Sequence, residues 1–120
     1  MKKKFVYICS PLRGDYKKNT ERARNYCAWT MKTFPHVIPI APHIYFPQFL
    51  DDRDPTERNL GTRAGIELLG MCEEVWVFGL KNPRDLPSEG MKQEIEYAQR
   101  HNIPVAFIAP PSEKDEGLGT

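Results

Sequence analysis

Glu94 lies in the run Ser88-Glu89-Gly90-Met91-Lys92-Gln93-Glu94-Ile95-Glu96-Tyr97-Ala98, which has helical periodicity. At about 100° per residue, Met91, Ile95 and Ala98 share one face, and Glu94 falls at the edge of that apolar stripe. A carboxylate held near a core face is costly unless something uses it, which makes Glu94 a candidate functional acid. The alternative is a side chain that swings out to water or pairs with an arginine. A second group is the turn Ser10-Pro11-Leu12-Arg13-Gly14, which offers a hydroxyl, a guanidinium and a flexible backbone in five residues. That set suits a phosphate or carboxylate, although the turn is neither a Walker loop nor a GxGxxG fingerprint, and an ordinary loop with a surface arginine explains it as well. Ser88 and Gly90 form a further candidate anion site, because the open N–H groups of a helix start favour negative charge.

The elements that must position these residues alternate regularly. Phe5-Val6-Tyr7-Ile8-Cys9 reads as a buried strand. A helix follows from about Asn19 to Phe34, with Ala23, Tyr26, Cys27, Thr30, Met31 and Phe34 on its core stripe, and Pro35 stops it. Val37-Ile38-Pro39-Ile40 is a second strand. Ala41 to Asp54 reads as an irregular, aromatic-rich loop. Asp54 caps a helix with Pro55 at its first position, running to about Met71. Glu74 to Phe78 is the third strand, Gly79 to Pro87 a loop, and Ser88 caps a helix that runs to about His101. Ile103 to Ile108 is the last strand, and the polar tail from Pro110 to Thr120 is expected to be disordered. Residues 1–109 thus form a single domain and 110–120 a tail. Apolar strands alternating with amphipathic helices give a three-layer α/β/α fold with a mostly parallel central sheet, flavodoxin-like in plan. Ligands in such sheets bind beyond the carboxyl ends of the strands, so the segments after Cys9, Ile40 and Phe78 are where a site belongs.

Composition narrows the function. The 120 residues suit one domain, with 40% hydrophobic and 28% charged residues. Seventeen basic and 16 acidic side chains leave a net charge of +1, without the basic excess of a dedicated nucleic-acid binder. Cys9, Cys27 and Cys72 are odd in number and widely spaced, against a disulfide framework and against zinc. No His/Cys/Asp cluster has metal spacing, so neither a metal nor another cofactor is expected. The apolar run after the basic N-terminus is too short for a signal peptide, and nothing approaches a membrane span. A cytoplasmic protein is expected, with no membrane partner.

The strand Val6-Tyr7-Ile8-Cys9, the turn Ser10-Pro11-Leu12-Arg13-Gly14 and the segment Pro87 to Ile95 resemble the nucleoside 2-deoxyribosyltransferase superfamily. Within it, the turn looks most like the deoxynucleoside 5′-monophosphate N-glycosidases. Ala41-Pro42-His43 and Cys72 to Gly79 look like an uncharacterised branch, a domain of unknown function. The resemblance spans roughly residues 5 to 108 and implies cleavage or transfer at the N-glycosidic bond of a nucleoside or nucleoside 5′-monophosphate. It matches Glu94 to the nucleophile and Tyr7 to a tyrosine that orients it, where plain core packing is the other explanation for Tyr7. It matches Ser10, Arg13, Gly14, Ser88 and Gly90 to a 5′-phosphate pocket. It also implies a homo-oligomer.

One departure stands out. The superfamily carries an aspartate that assists the leaving base, and the matching position here is Gly65. Glu67 lies roughly 200° further round the helix and is a poor substitute. His43, after the second strand, is a candidate general acid, with a hydrogen-bonded loop histidine as the alternative; Arg58 is a weaker candidate. His36 and His101 suit helix ends. The sequence therefore leans toward an enzyme, with a non-catalytic nucleotide-binding module on the same fold as the alternative. The apolar segment Ile44 to Leu50 and the two-sided apolar helix from Pro55 are expected to join a homodimer or a dimer of dimers.

Overall fold

A computed structural model describes residues 2–12, 14–80 and 86–110. The elements, in chain order, are β1 (Lys4–Cys9), α1 (Tyr16–Thr33), β2 (Val37–Ile40), α2 (Pro42–Tyr45), a 3₁₀ turn (Phe46–Gln48), α3 (Pro55–Leu69), β3 (Glu74–Val77), α4 (Glu89–Arg100) and β4 (Val105–Phe107). The sheet order is β2-β1-β3-β4, and every neighbouring pair is parallel. The chain steps outward from β1 to β2, then returns across β1 to place β3 and β4 on its other side. The order therefore reverses between β1 and β3, and a crevice opens there at the carboxyl ends of the strands.

β1 carries the core on both faces because its residues alternate. Tyr7 and Cys9 join Leu69, Cys72, Val75, Val77, Met91 and Ala98, the layer under α3 and α4. Val6 and Ile8 join Tyr26, Val37, Trp76 and Phe78, the layer under α1. Burial on both sides is why the strand is a continuous apolar run. The Tyr26 ring stacks on Phe78 at 4.6 Å. Pro39 has no N–H to give, and β2 tolerates it because β2 is an edge strand. Among the described residues no helix is long and apolar enough to cross a membrane. The three cysteines are free, and no group of residues suited to a metal ion occurs in the described part.

Several boundaries and faces differ from the sequence expectation. α1 begins at Tyr16, one turn early, because the Asp15 carboxylate accepts the Lys18 N–H and caps it there. Ala23, Tyr26 and Thr30 are its buried line, while Met31, one position beyond it, is 55% exposed. α3 stops at Leu69, and the Gly70 N–H caps it by donating to the Ile66 carbonyl; Met71 lies past the end and faces solvent. The segment after β2 is irregular only over residues 49–54. Pro42 starts one turn of α-helix and Pro47 sits in the 3₁₀ turn, where a fixed φ favours tight helical turns. β3 and β4 are shorter than expected at their ends. Pro110 is buried; the rest of the expected tail, 111–120, lies outside the described residues.

Candidate active site

A cavity of about 350 Å³ opens at the crevice between β1 and β3. Its floor is the pair Tyr7 and Glu94. Tyr7 comes from the middle of β1 and points to the α3/α4 side; Glu94 comes from the second turn of α4. The Tyr7 hydroxyl donates a hydrogen bond to Glu94 Oε2. α4 is held in register by Ser88, whose Oγ accepts the Met91 N–H at 3.3 Å, and by Met91 and Ala98 packed under the sheet. Glu94, at the edge of that stripe, turns toward the cavity and keeps some accessible surface there, although protein surrounds most of it.

Burial governs the protonation of this floor. Desolvation raises the Glu94 carboxyl above the usual carboxylate range, and the hydrogen bonds from Tyr7 and Cys9 oppose that rise only in part. The Tyr7 phenol is pushed well above its ordinary value by burial and then by the charge of Glu94, so it stays a donor at any working pH. The Cys9 thiol points between Glu94 and the Met91 carbonyl oxygen, 3.9 Å away, and burial raises it too. It is an inert core thiol rather than a nucleophile.

One wall holds Ser10 and His43, with Ser10 Oγ 3.0 Å from His43 Nε2. Burial lowers the His43 imidazole to about 4, so the ring is neutral at pH 7 and is not a standing cationic acid there. The opposite wall is α3. Arg58, Gly61, Thr62, Gly65 and Ile66 recur at helical spacing and share the cavity face. A Cβ on Gly61 would lie 3.4 Å from Leu50 Cδ1, and one on Gly65 3.7 Å from Pro42 and 3.8 Å from the Tyr7 hydroxyl, all ordinary contact distances, so the glycines leave that space to the cavity. The Arg58 Nε–H is engaged by the Asp52 carbonyl at 2.9 Å. Phe46, Pro47 and Leu50 roof the cavity with apolar surface.

Tyr7, Ser10, His43, Ser88, Gly90 and Glu94, expected at a site from the sequence, all line this one cavity. Gly14 does not; it is exposed, with φ +95°, in the turn before α1. Arg13 lies outside the described residues. The sequence reading missed Thr62 and Gln93 as cavity residues. For Thr62 the available signal was Gly61-x-x-x-Gly65 on a helix, which marks a face that something else approaches closely.

The fold recurs in a 2-deoxyribosyltransferase from the psychrotolerant bacterium Bacillus psychrosaccharolyticus. The two superpose with a TM-score of 0.61 at 14% identity, over 92% of this chain and 80% of the enzyme. At that identity the likeness establishes the fold. No curated protein matches the sequence. A family model does match, over residues 4–108, which takes in the whole sheet, its helices and every described cavity residue. The chain belongs to the family described as a domain of unknown function, DUF7768.

Proposed function

We propose that this protein cleaves or transfers at the N-glycosidic bond of a nucleoside or nucleotide, with Glu94 as the nucleophile. The observation that carries the reading is the Tyr7–Glu94 pair on the floor of a cavity at the sheet's switch point. A carboxylate is a suitable nucleophile for an anomeric carbon, because the glycosyl ester it forms is opened again by water or by an incoming base. Tyr7 fixes the carboxylate by donating to one oxygen, leaving the other for attack. Two displacements at one carbon give net retention of configuration. Ser10 and His43 are close enough to each other to orient a sugar hydroxyl or the leaving base from the facing wall. Ser10, with Ser88 and Gly90 at the start of α4, forms the proposed subsite for a 5′-phosphate, to which the resemblance adds Arg13, outside the described residues.

The neighbouring deoxyribosyltransferase shares the fold and agrees with this chemistry. A second reading, nucleotide binding without turnover, is favoured by Gly65, which leaves the partner acid of the resembled superfamily without a side chain. A panel of nucleosides and 5′-monophosphates separates the two. Free base released by the parent and not by Glu94→Gln supports catalysis. Thermal stabilisation by ligand without base release supports the binding module. Tighter binding of monophosphates than nucleosides, lost in Arg13→Ala, supports the phosphate subsite; equal binding by the parent removes it.

A further inference from the structure

We infer that the glycosides this cavity cleaves are those whose base already carries a positive charge, as in a pyridinium or N7-alkylated purine nucleoside. This rests on the glycosidic reading of Glu94 and narrows its substrate class. The departing base is the issue. A neutral purine or pyrimidine leaves as a poor anion unless an acid protonates it, whereas a cationic base leaves neutral. Around the Glu94–Tyr7 pair the described residues offer no ready acid. Gly65, whose Cβ would stand 3.8 Å from the Tyr7 hydroxyl, has nothing to donate. The Tyr7 proton is committed to Glu94, and His43 is paired with Ser10. Glu57, further up the wall, accepts the Asp51 N–H through Oε1.

Charge points the same way. Beside Glu94 the described lining carries the carboxylates of Glu57 and Glu89 and one guanidinium, Arg58. Such a lining favours a cationic ring beside Glu94. Pro42, Phe46, Leu50 and Ile66 add flat apolar surface of the kind an aromatic ring covers. A cation in the cavity also counters the effect of burial on Glu94, because a nearby positive charge favours the ionised carboxylate that must attack.

The step balances without an external acid. A Glu94 oxygen bonds to the anomeric carbon as the carbon–nitrogen bond breaks. Its electron pair goes to the ring nitrogen, which loses its positive charge, and the base departs neutral. Water then bonds to the anomeric carbon, the ester bond to Glu94 breaks, and the proton of that water passes to solvent.

The test compares matched substrates on the intact protein: guanosine with 7-methylguanosine, and uridine with nicotinamide riboside, each also as the 2′-deoxynucleoside. The expected result is release of the cationic bases at least 100-fold faster than the neutral ones, above the uncatalysed rate and abolished in Glu94→Gln. In Gly65→Asp, whose Cβ would meet only ordinary contacts on the cavity face, guanosine cleavage is expected to rise while 7-methylguanosine cleavage does not. Comparable release of neutral and cationic bases by the parent overturns this inference and leaves the glycosidic reading standing. Release of neither overturns both.

Discussion

Glu94 combines an exposed task with a buried address, and its variants report the two separately. Replacing it with glutamine keeps the shape and an acceptor for Tyr7 but removes the attacking charge. Base release is expected to fall by orders of magnitude while the fold remains. Stability is expected to rise. The folded carboxyl titrates above its ordinary value of 4.5, so the folded chain holds this proton more tightly than the unfolded chain. That contribution is whole below the ordinary value and is lost as pH rises through the raised one. Thermal unfolding should therefore find Glu94→Gln more stable than the parent near neutral pH, with the gap closing on acidification; a lower melting temperature at neutral pH would contradict this placement of the carboxylate. Tyr7→Phe keeps the ring in the core and removes the donor. The free carboxylate is then less well oriented, and kcat is expected to drop by about 10²-fold with little change in melting temperature. His43 works in the opposite direction. Its value is depressed from 6.5 to about 4, so its contribution is present above 6.5 and is lost as pH falls toward 4. His43→Gln should flatten the acid limb of the stability profile between those values, as measured by thermal unfolding at stepped pH.

At the scale of elements, the site depends on close approaches that only small residues permit. Gly79 follows β3 at the crevice with φ +88°, and a Cβ there would lie 2.8 Å from Pro11 Cδ. The backbone conformation and the contact both exclude a side chain, and the neighbour is a proline ring that cannot swing away. Gly79→Ala is expected to cost about 1–3 kcal/mol, measured by denaturant midpoint, and to disturb the turn that carries Ser10. Gly61 and Gly65 play a different part. Each weakens α3 by roughly 0.5–1 kcal/mol relative to alanine, and a Cβ at either would meet its neighbours at ordinary contact distance.

For the whole molecule, the open question is what covers the aromatic roof. Phe46 and Leu50 turn inward onto α3, but Tyr45 and Phe49 are each 59% exposed, and Leu60 on α3 is 55% exposed. Tyr45, Phe46 and Phe49 meet edge to face, with ring centroids 5.2 to 5.9 Å apart. The segment therefore folds back in part and presents the remainder outward, as an interface would. We propose a symmetric homodimer through this face. Light scattering at micromolar concentration should give about twice the 13.9 kDa chain mass, and Tyr45→Ser with Phe49→Ser should return it to the monomer. A mass near 13.9 kDa for the parent would refute the dimer.

The sequence by itself determined the layers. Buried strands written as β-branched and aromatic runs, and helices written with apolar stripes, leave a parallel sheet covered on both faces as the economical burial of that pattern. It also placed Glu94 at the edge of its stripe, because helical periodicity is local, and it located Ser88 as a cap for the same reason. Local chemistry did not say that Pro42 and Pro47 would order the segment after β2, since turns of three or four residues carry no period. Nor did it fix where α1 begins, which Asp15 decides by one side-chain hydrogen bond. The meeting of Tyr7 with Glu94, 87 positions apart, and of Ser10 with His43, 33 apart, is a product of strand order and of the α3 face that closes over them. So are the neutral state of His43 and the raised carboxyl of Glu94. Both follow from how much water the assembled walls exclude, a quantity set by residues distant in sequence.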